Sequence, residues 1–160
     1  MESFHVSLKK RKRITKKTIE KNIKIYKELA GLFEKYIVVL IGLIIILRKD
    51  ELSVYSELRN IPLGTKVKWF TEKADFRDYR DLVVPFNKTI RNAIAHDGCY
   101  FQFFDKKIKF SDLKQTVNIQ YKDFINQVRE LSSLVLALSQ IHVHILLFEY
   151  RRFKQILDEC

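Results

Sequence analysis

The sequence predicts an all-α domain: a helical bundle with two long antiparallel helices and one small β-hairpin placed after a shorter helix. Three observations predict it. Of 160 residues, 47% are hydrophobic while only four are Gly and two are Pro, a composition that suits long regular elements better than a loop-rich β protein. Apolar residues recur every three or four positions over two stretches of about 30 residues, one in each half of the chain. Between these stretches lies a run of aromatic and β-branched residues around a polar turn. The length fits a single domain with a real core, so residues 1–160 are read as one domain whose residues 1–14 form a basic, mobile arm.

The arm holds the charge. Residues 1–30 carry ten Lys/Arg against three Glu, so +7 of the net +11 sits in this stretch. Lys9, Lys10, Arg11, Lys12 and Arg13 form an unbroken basic run, and such a run favours a polyanion: RNA, or an acidic membrane surface. It also serves equally well as a solubilising tail.

Thr15 is placed to cap the helix that follows. Ile19, Ile23, Tyr26, Ala30, Phe33, Ile37, Leu40, Ile44 and Leu47 keep helical spacing, giving one helix of about 30 residues and about 45 Å. Residues 36–47 contain no charge. Twelve residues are too few to span a bilayer, which needs about 20, so this segment is read as core or dimer surface and a membrane anchor is disfavoured.

Leu52, Tyr55 and Leu58 mark a short helix that ends at Ile61-Pro62-Leu63-Gly64, and Thr65 caps the next piece. Trp69, Phe70, Phe76 and Tyr79 alternate with Lys66, Lys68, Lys73, Arg77 and Arg80. Such a mixture can stack bases between phosphate contacts, but aromatics at helical spacing favour a core role. Pro85 is placed as a first-turn residue of the next helix. Residues 100–104 and 108–110 form the hairpin, and Ile125, Val128, Leu131, Val135, Leu138, His142, Ile145 and Phe148 form the stripe of the second long helix. His142 and His144 are two residues apart, face different sides, and do not make a metal pair. Cys99 and Cys160 make no disulfide framework, and with no secretory leader they point to a reducing cytoplasm.

The sharpest stretch is residues 86–98. Phe86, Ile90, Ala93 and Ile94 form one apolar face, and Asp97-Gly98 closes the helix with Gly98 near its C-cap. Asn92 and His96 are four apart and share a face, while Arg91 can swing its long side chain towards them. Arg forks onto phosphate oxygens, His exchanges a proton near neutral pH, and Asn orients an imidazole or contacts a ribose hydroxyl. By spacing alone the three also fit an Arg and a His solvating a helix end.

Arg91-Asn92-Ala93-Ile94-Ala95-His96-Asp97-Gly98 resembles the signature of the HEPN superfamily, in which Arg, a polar residue, a few small or apolar residues and His close a helix. The likeness is close over that octet and looser over residues 80–150. It implies a HEPN-like domain and a metal-independent endoribonuclease, often a toxin or defence factor, or else a non-catalytic relative that binds RNA or protein. Its implied catalytic residues are Arg91, Asn92 and His96, with RNA as partner. To the RNA contacts of the arm we add Lys88, one turn before Asn92. No cofactor and no metal are expected. The resemblance also implies a homodimer, here through the motif face and the long helices, and an antitoxin or other regulatory partner. In the branch modified on Tyr by a nucleotidyltransferase, that Tyr stands two residues after the His; here that place is Gly98 and the first Tyr is Tyr100, which argues against that type of antitoxin.

Overall fold

The computed structural model describes residues 14–47, 58, 60–113 and 115–158. The basic arm, the short helix expected around Leu52 and Tyr55, and Cys160 lie outside the described residues. In chain order come α1 (Lys16–Leu47), α2 (Leu63–Glu72), a 3-10 segment (Ala74–Leu82), α3 (Lys88–Ala95), β1 (Cys99–Gln102), β2 (Lys107–Ser111), β3 (Thr116–Gln120) and α4 (Tyr121–Asp158). The fold is therefore mixed α/β and not all-α: the expected hairpin is two strands of a three-stranded antiparallel sheet of order β1-β2-β3. The added strand is Thr116-Val117-Asn118-Ile119-Gln120. Its inward Val117 and Ile119 alternate with polar residues, the period-2 pattern of a half-buried strand.

That third strand also corrects the direction of the last helix. Asn22 donates to the Tyr121 hydroxyl, Tyr26 packs on Phe124, and Tyr36 lies against His142, so α1 and α4 run parallel, not antiparallel. The reason is topological. A two-stranded hairpin would return the chain to the end of the sheet near His96, whereas three strands deliver it to the opposite end. There the Tyr121 N–H donates to the Lys106 carbonyl and α4 begins.

The core lies between α1, α4, α3 and the inner face of the sheet. Tyr26, Phe33, Ile37, Ile41 and Ile44 of α1 meet Phe124 and Leu131 of α4 and Ile108 and Phe110 of β2, all fully buried. Phe33 stacks on Phe86 at 5.0 Å, and Phe110 packs on Phe124 at 5.3 Å. In the uncharged second half of α1, Ile37, Val38, Leu40, Ile41 and Ile44 are thus core of the chain itself. Phe70 and Phe76 are buried edge to face at 5.4 Å, and Trp69 and Tyr79 are half-buried against the same core, as the core reading of these aromatics expects. The ammonium of Lys73 covers one face of Trp69 at 3.8 Å.

Two helix starts differ from expectation. α2 is capped at Pro62, whose carbonyl accepts from Thr65 and Lys66, so Thr65 sits inside the first turn. α3 begins at Lys88, not at Pro85, because the side chain of Asn87 accepts from the Ile90 N–H at 3.1 Å and is the better cap.

α4 is apolar well beyond its packed part. Leu136, Val143, Leu147 and Tyr150 fall at helical spacing on an exposed face, and Ile141, Leu146 and Phe148 are exposed beside them. An 18-residue window of this helix reaches a mean hydropathy of 1.8 with only 17% of it buried, so by length and composition it is long and apolar enough to cross a membrane. A core helix passes the same test of composition; what distinguishes this one is how little of it is covered.

Candidate functional site

The site is built on α3, and α3 is fixed from both ends. At its start the buried hydroxyl of Tyr26 donates to the Asn87 carbonyl at 3.3 Å and accepts from the Asn87 N–H at 3.1 Å, so α1 holds the capping residue directly. Burial pushes Tyr26 up to about 12, against the smaller lowering effect of its bond to Asn87. At its end His96 is the C-cap, Asp97 takes the left-handed conformation with φ 54°, and the Gly98 N–H reaches back to the Ala93 carbonyl at 2.7 Å. Gly98 is needed for a different reason from the one its sequence position suggests. Its φ is not positive, but a Cβ there would collide with the Ser111 carbonyl oxygen as β1 enters the sheet.

These constraints set Arg91, Asn92 and His96 along one edge of α3. Arg91 is half-buried and donates to Glu34 of α1 at 3.4 Å and to the Asn92 side-chain oxygen at 3.3 Å. Asn92 in turn donates to the Asp112 carboxylate at 2.9 Å. A polar chain thus runs from Glu34 through Arg91 and Asn92 to Asp112. Asp112 also accepts from the Leu113 N–H at 2.7 Å. The Asn92 and Leu113 hydrogen bonds, with the positive charges of His96 and Lys88, hold its carboxyl below the usual carboxylate range. It is fixed as an anion at neutral pH and accepts hydrogen bonds without supplying a proton.

The surface over these residues is a groove with two lobes. One, of about 540 Å³, is bounded by Glu34, Pro62, Gly64, Lys68, Lys88 and Arg91; the other, of about 550 Å³, by Thr89, His96, Asp112 and Gln115. Asn92, Lys88 and Lys68 border both. The expectation that Arg91, Asn92 and His96 line a single site therefore takes a particular form: Arg91 opens into the first lobe, the exposed His96 into the second, and Asn92 joins them. Lys88 borders the groove as expected, while Lys9, Lys10, Arg11, Lys12 and Arg13 lie outside the described residues.

Lys68 is a site residue that sequence reasoning named without placing at the motif; Glu34, Asp112 and Gln115 are those that it missed. Asp112 was within reach of it, since a strand pairing back onto the residues after His96 must bring its own end near the motif. Gln115 follows from the same loop and accepts from Thr89 at 3.0 Å. Glu34 is a solvated helix residue with nothing local to mark it, whereas Lys68 stands among the cations interleaved with Trp69 and Phe70, a stretch read mainly as core. Among the described residues no group of three or more His, Cys, Asp and Glu is arranged to hold a metal ion. Cys99, beside α1, has its thiol pushed up to about 11 by burial and by the nearby Asp97 charge, so it is a poor nucleophile at neutral pH.

Comparison of the chain with protein-family models, with curated proteins and with solved structures gives no match. The functional reading rests on the groove.

Proposed function

We propose that this chain is a HEPN-like, metal-independent endoribonuclease. The observation that carries the reading is the hydrogen-bonded line Arg91–Asn92–Asp112 with His96 beside it in a basic groove. In this reaction the ribose 2′-oxygen bonds to phosphorus as the 5′-oxygen leaves. One fragment ends in a 2′,3′-cyclic phosphate and the other begins with a 5′-hydroxyl. Arg91 holds the non-bridging oxygens, on which charge grows in the transition state, and His96 moves one of the two protons. Asn92 orients the guanidinium and is itself oriented by Asp112.

The second proton requires a second carrier: an ionised Asp112 cannot donate one, and with its pKa lowered and its oxygens already accepting from Asn92 and the Leu113 N–H it is a poor base. The active unit in this reading is a homodimer in which a second His96 completes the set. The exposed apolar face of α4, with Leu136, Val143, Leu147 and Tyr150, supplies a surface suited to pairing. The deciding experiment incubates purified protein with single-stranded and structured RNA in chelator and analyses the ends. Cyclic phosphate and 5′-hydroxyl termini are expected; cleavage that appears only on adding magnesium would overturn the mechanism.

One observation favours a second reading, a HEPN-like module that binds RNA or a protein without cutting. Glu34 already pairs with Arg91, so part of the charge meant for phosphate is used within the chain. This reading expects RNA binding in the same assay with no new ends.

A further inference from the structure

The first lobe of the groove has cations and room but, among the described residues that line it, no His or Cys, and it extends from Arg91 towards α2 while His96 borders the other lobe. Lys68 and Lys88, which border both lobes, supply the first lobe's other cations. Among the described residues no carboxylate lies within ion-pair distance of Lys88, and its side chain rests against Gly64, where an added Cβ would stand 3.1 Å from its Cε and Nζ. The glycine thus makes the space in which this ammonium lies on the first turn of α2. The first turn of α2 carries partial charge of like sign, and the carboxylate that feels the Lys88 charge, Asp112, borders the other lobe beyond ion-pair distance. Lys68 contacts Glu72 at 3.5 Å in an exposed pair on the same helix, an interaction weak enough to be exchanged for a stronger anion. Glu34, the one carboxylate among the described residues that line the lobe, is held by Arg91.

We propose that this lobe is a second phosphate subsite, in which Lys68 and Lys88 hold the phosphate next to the one at Arg91. The inference rests on the ribonuclease reading and adds to it a substrate class: a single-stranded oligonucleotide that carries at least two consecutive phosphates across α3. A dinucleotide with only its internal phosphate fills the position at Arg91 and leaves Lys68 and Lys88 without a phosphate.

The test measures binding with ligands that this mechanism cannot cut, so that it does not depend on catalysis. Affinities of 2′-deoxy dinucleotides with one phosphate, and of the same dinucleotides extended by a 5′- or a 3′-terminal phosphate, are compared for wild type, Lys68→Gln, Lys68→Arg and, as a remote control on the sheet surface, Lys109→Gln. One of the two extensions is expected to tighten wild-type binding about tenfold. That advantage should fall to about twofold in Lys68→Gln, persist in Lys68→Arg and Lys109→Gln, and be accompanied in Lys68→Gln by a log–log salt slope shallower by about 0.7. The ribo forms of the same ligands are assayed for cleavage in parallel. A Lys68-dependent advantage without cleavage of the ribo ligand upholds the subsite and overturns the nuclease; cleavage with no advantage from either extension overturns the subsite and upholds the nuclease. An advantage equally reduced in Lys109→Gln, or no binding by any ligand, overturns the subsite.

Discussion

The half of the molecule around α3 and the distal part of α4 use their side chains in opposite ways. Around α3 nearly every polar group is tied to another: Tyr26 to Asn87, Asn87 to Ile90, Arg91 to Glu34 and Asn92, and Asn92 to Asp112. Beneath them Phe33, Phe86, Ile90 and Phe110 are buried. On distal α4 the side chains are equally apolar, yet Val143, Leu146, Phe148 and Tyr150 are each more than half exposed. The contrast teaches that apolar content selects a helix without selecting what covers it. α1 is covered because α2, α3 and α4 all pack on it; among the described residues no such set of elements covers distal α4.

The largest effect expected from breaking the first region is on catalysis. Arg91→Ala and His96→Ala should each reduce RNA cleavage by at least about 100-fold, the range of a lost acid–base or charge-stabilising group. His96 is exposed at the end of α3, so its variant should melt within about 0.5 kcal/mol of wild type. Arg91 is half-buried and holds Glu34 and Asn92, so Arg91→Ala should keep the far-UV circular dichroism but lose up to about 1 kcal/mol. Robust cleavage by either variant would place the chemistry elsewhere.

Stability should separate the two regions next. Phe33→Ala removes a fully buried ring from the α1–α3 contact and should cost about 3–5 kcal/mol, whereas Phe148→Ala in dilute monomer should change stability by less than about 0.5 kcal/mol. Denaturant midpoints measure both. A large loss from Phe148→Ala would mean that distal α4 is covered in solution.

Tyr26 sharpens the comparison at high pH. Its pKa is raised from 10.0 to about 12 in the folded chain, so the stability linked to the protonated phenol is complete below pH 10. It is lost as the pH rises towards about 12, a change on the order of 3 kcal/mol. Tyr26→Phe should be less stable than wild type at pH 8 by about 1–3 kcal/mol, because the Asn87 N–H loses its acceptor, and the gap should close above pH 10. A gap independent of pH would show that the hydroxyl is not held as described.

The distal region is tested by subunit mixing. If two His96 complete one site, refolding wild type with an equal amount of His96→Ala should leave about a quarter of the activity per total dimer, against about a half if each chain works alone. Leu147→Glu, on the exposed α4 face, should shift the dimer towards monomer in sedimentation. Co-sedimentation of wild type with liposomes, lost in that variant, would instead assign the face to a membrane.

The smallest effect is expected from Asp112. Its folded pKa is depressed, so its contribution is present above the ordinary carboxylate range and lost as the pH falls through the folded value. Melting of wild type and Asp112→Asn should differ slightly at pH 7 and converge in strong acid. A difference that grows in acid would reverse the assigned direction.

What the sequence by itself determined is local. Apolar spacing of three and four residues is a property of one segment, and it gave α1 and α4 close to their observed lengths. That Asn92 and His96 share a face of α3 was legible because residues four apart on a helix are neighbours whatever the rest of the chain does, whereas Arg91, expected beside them, opens into a different lobe from His96. The alternation in Val117 and Ile119 was equally legible, and missing it turned a three-stranded sheet into a hairpin and a parallel helix pair into an antiparallel one. Other features belong to no segment. Glu34 reaches Arg91 across 57 positions, Tyr26 reaches Asn87 across 61, and Asn92 reaches Asp112 across 20. Only the packing of α1, α3 and the sheet decided these contacts, because a solvated Glu, Lys or Asp carries no local pattern that tells which distant partner the fold will bring to it. The same packing decided that Gly98 serves close approach to Ser111 while Asp97 makes the turn, since a turn residue's φ follows from the strand it must lead into.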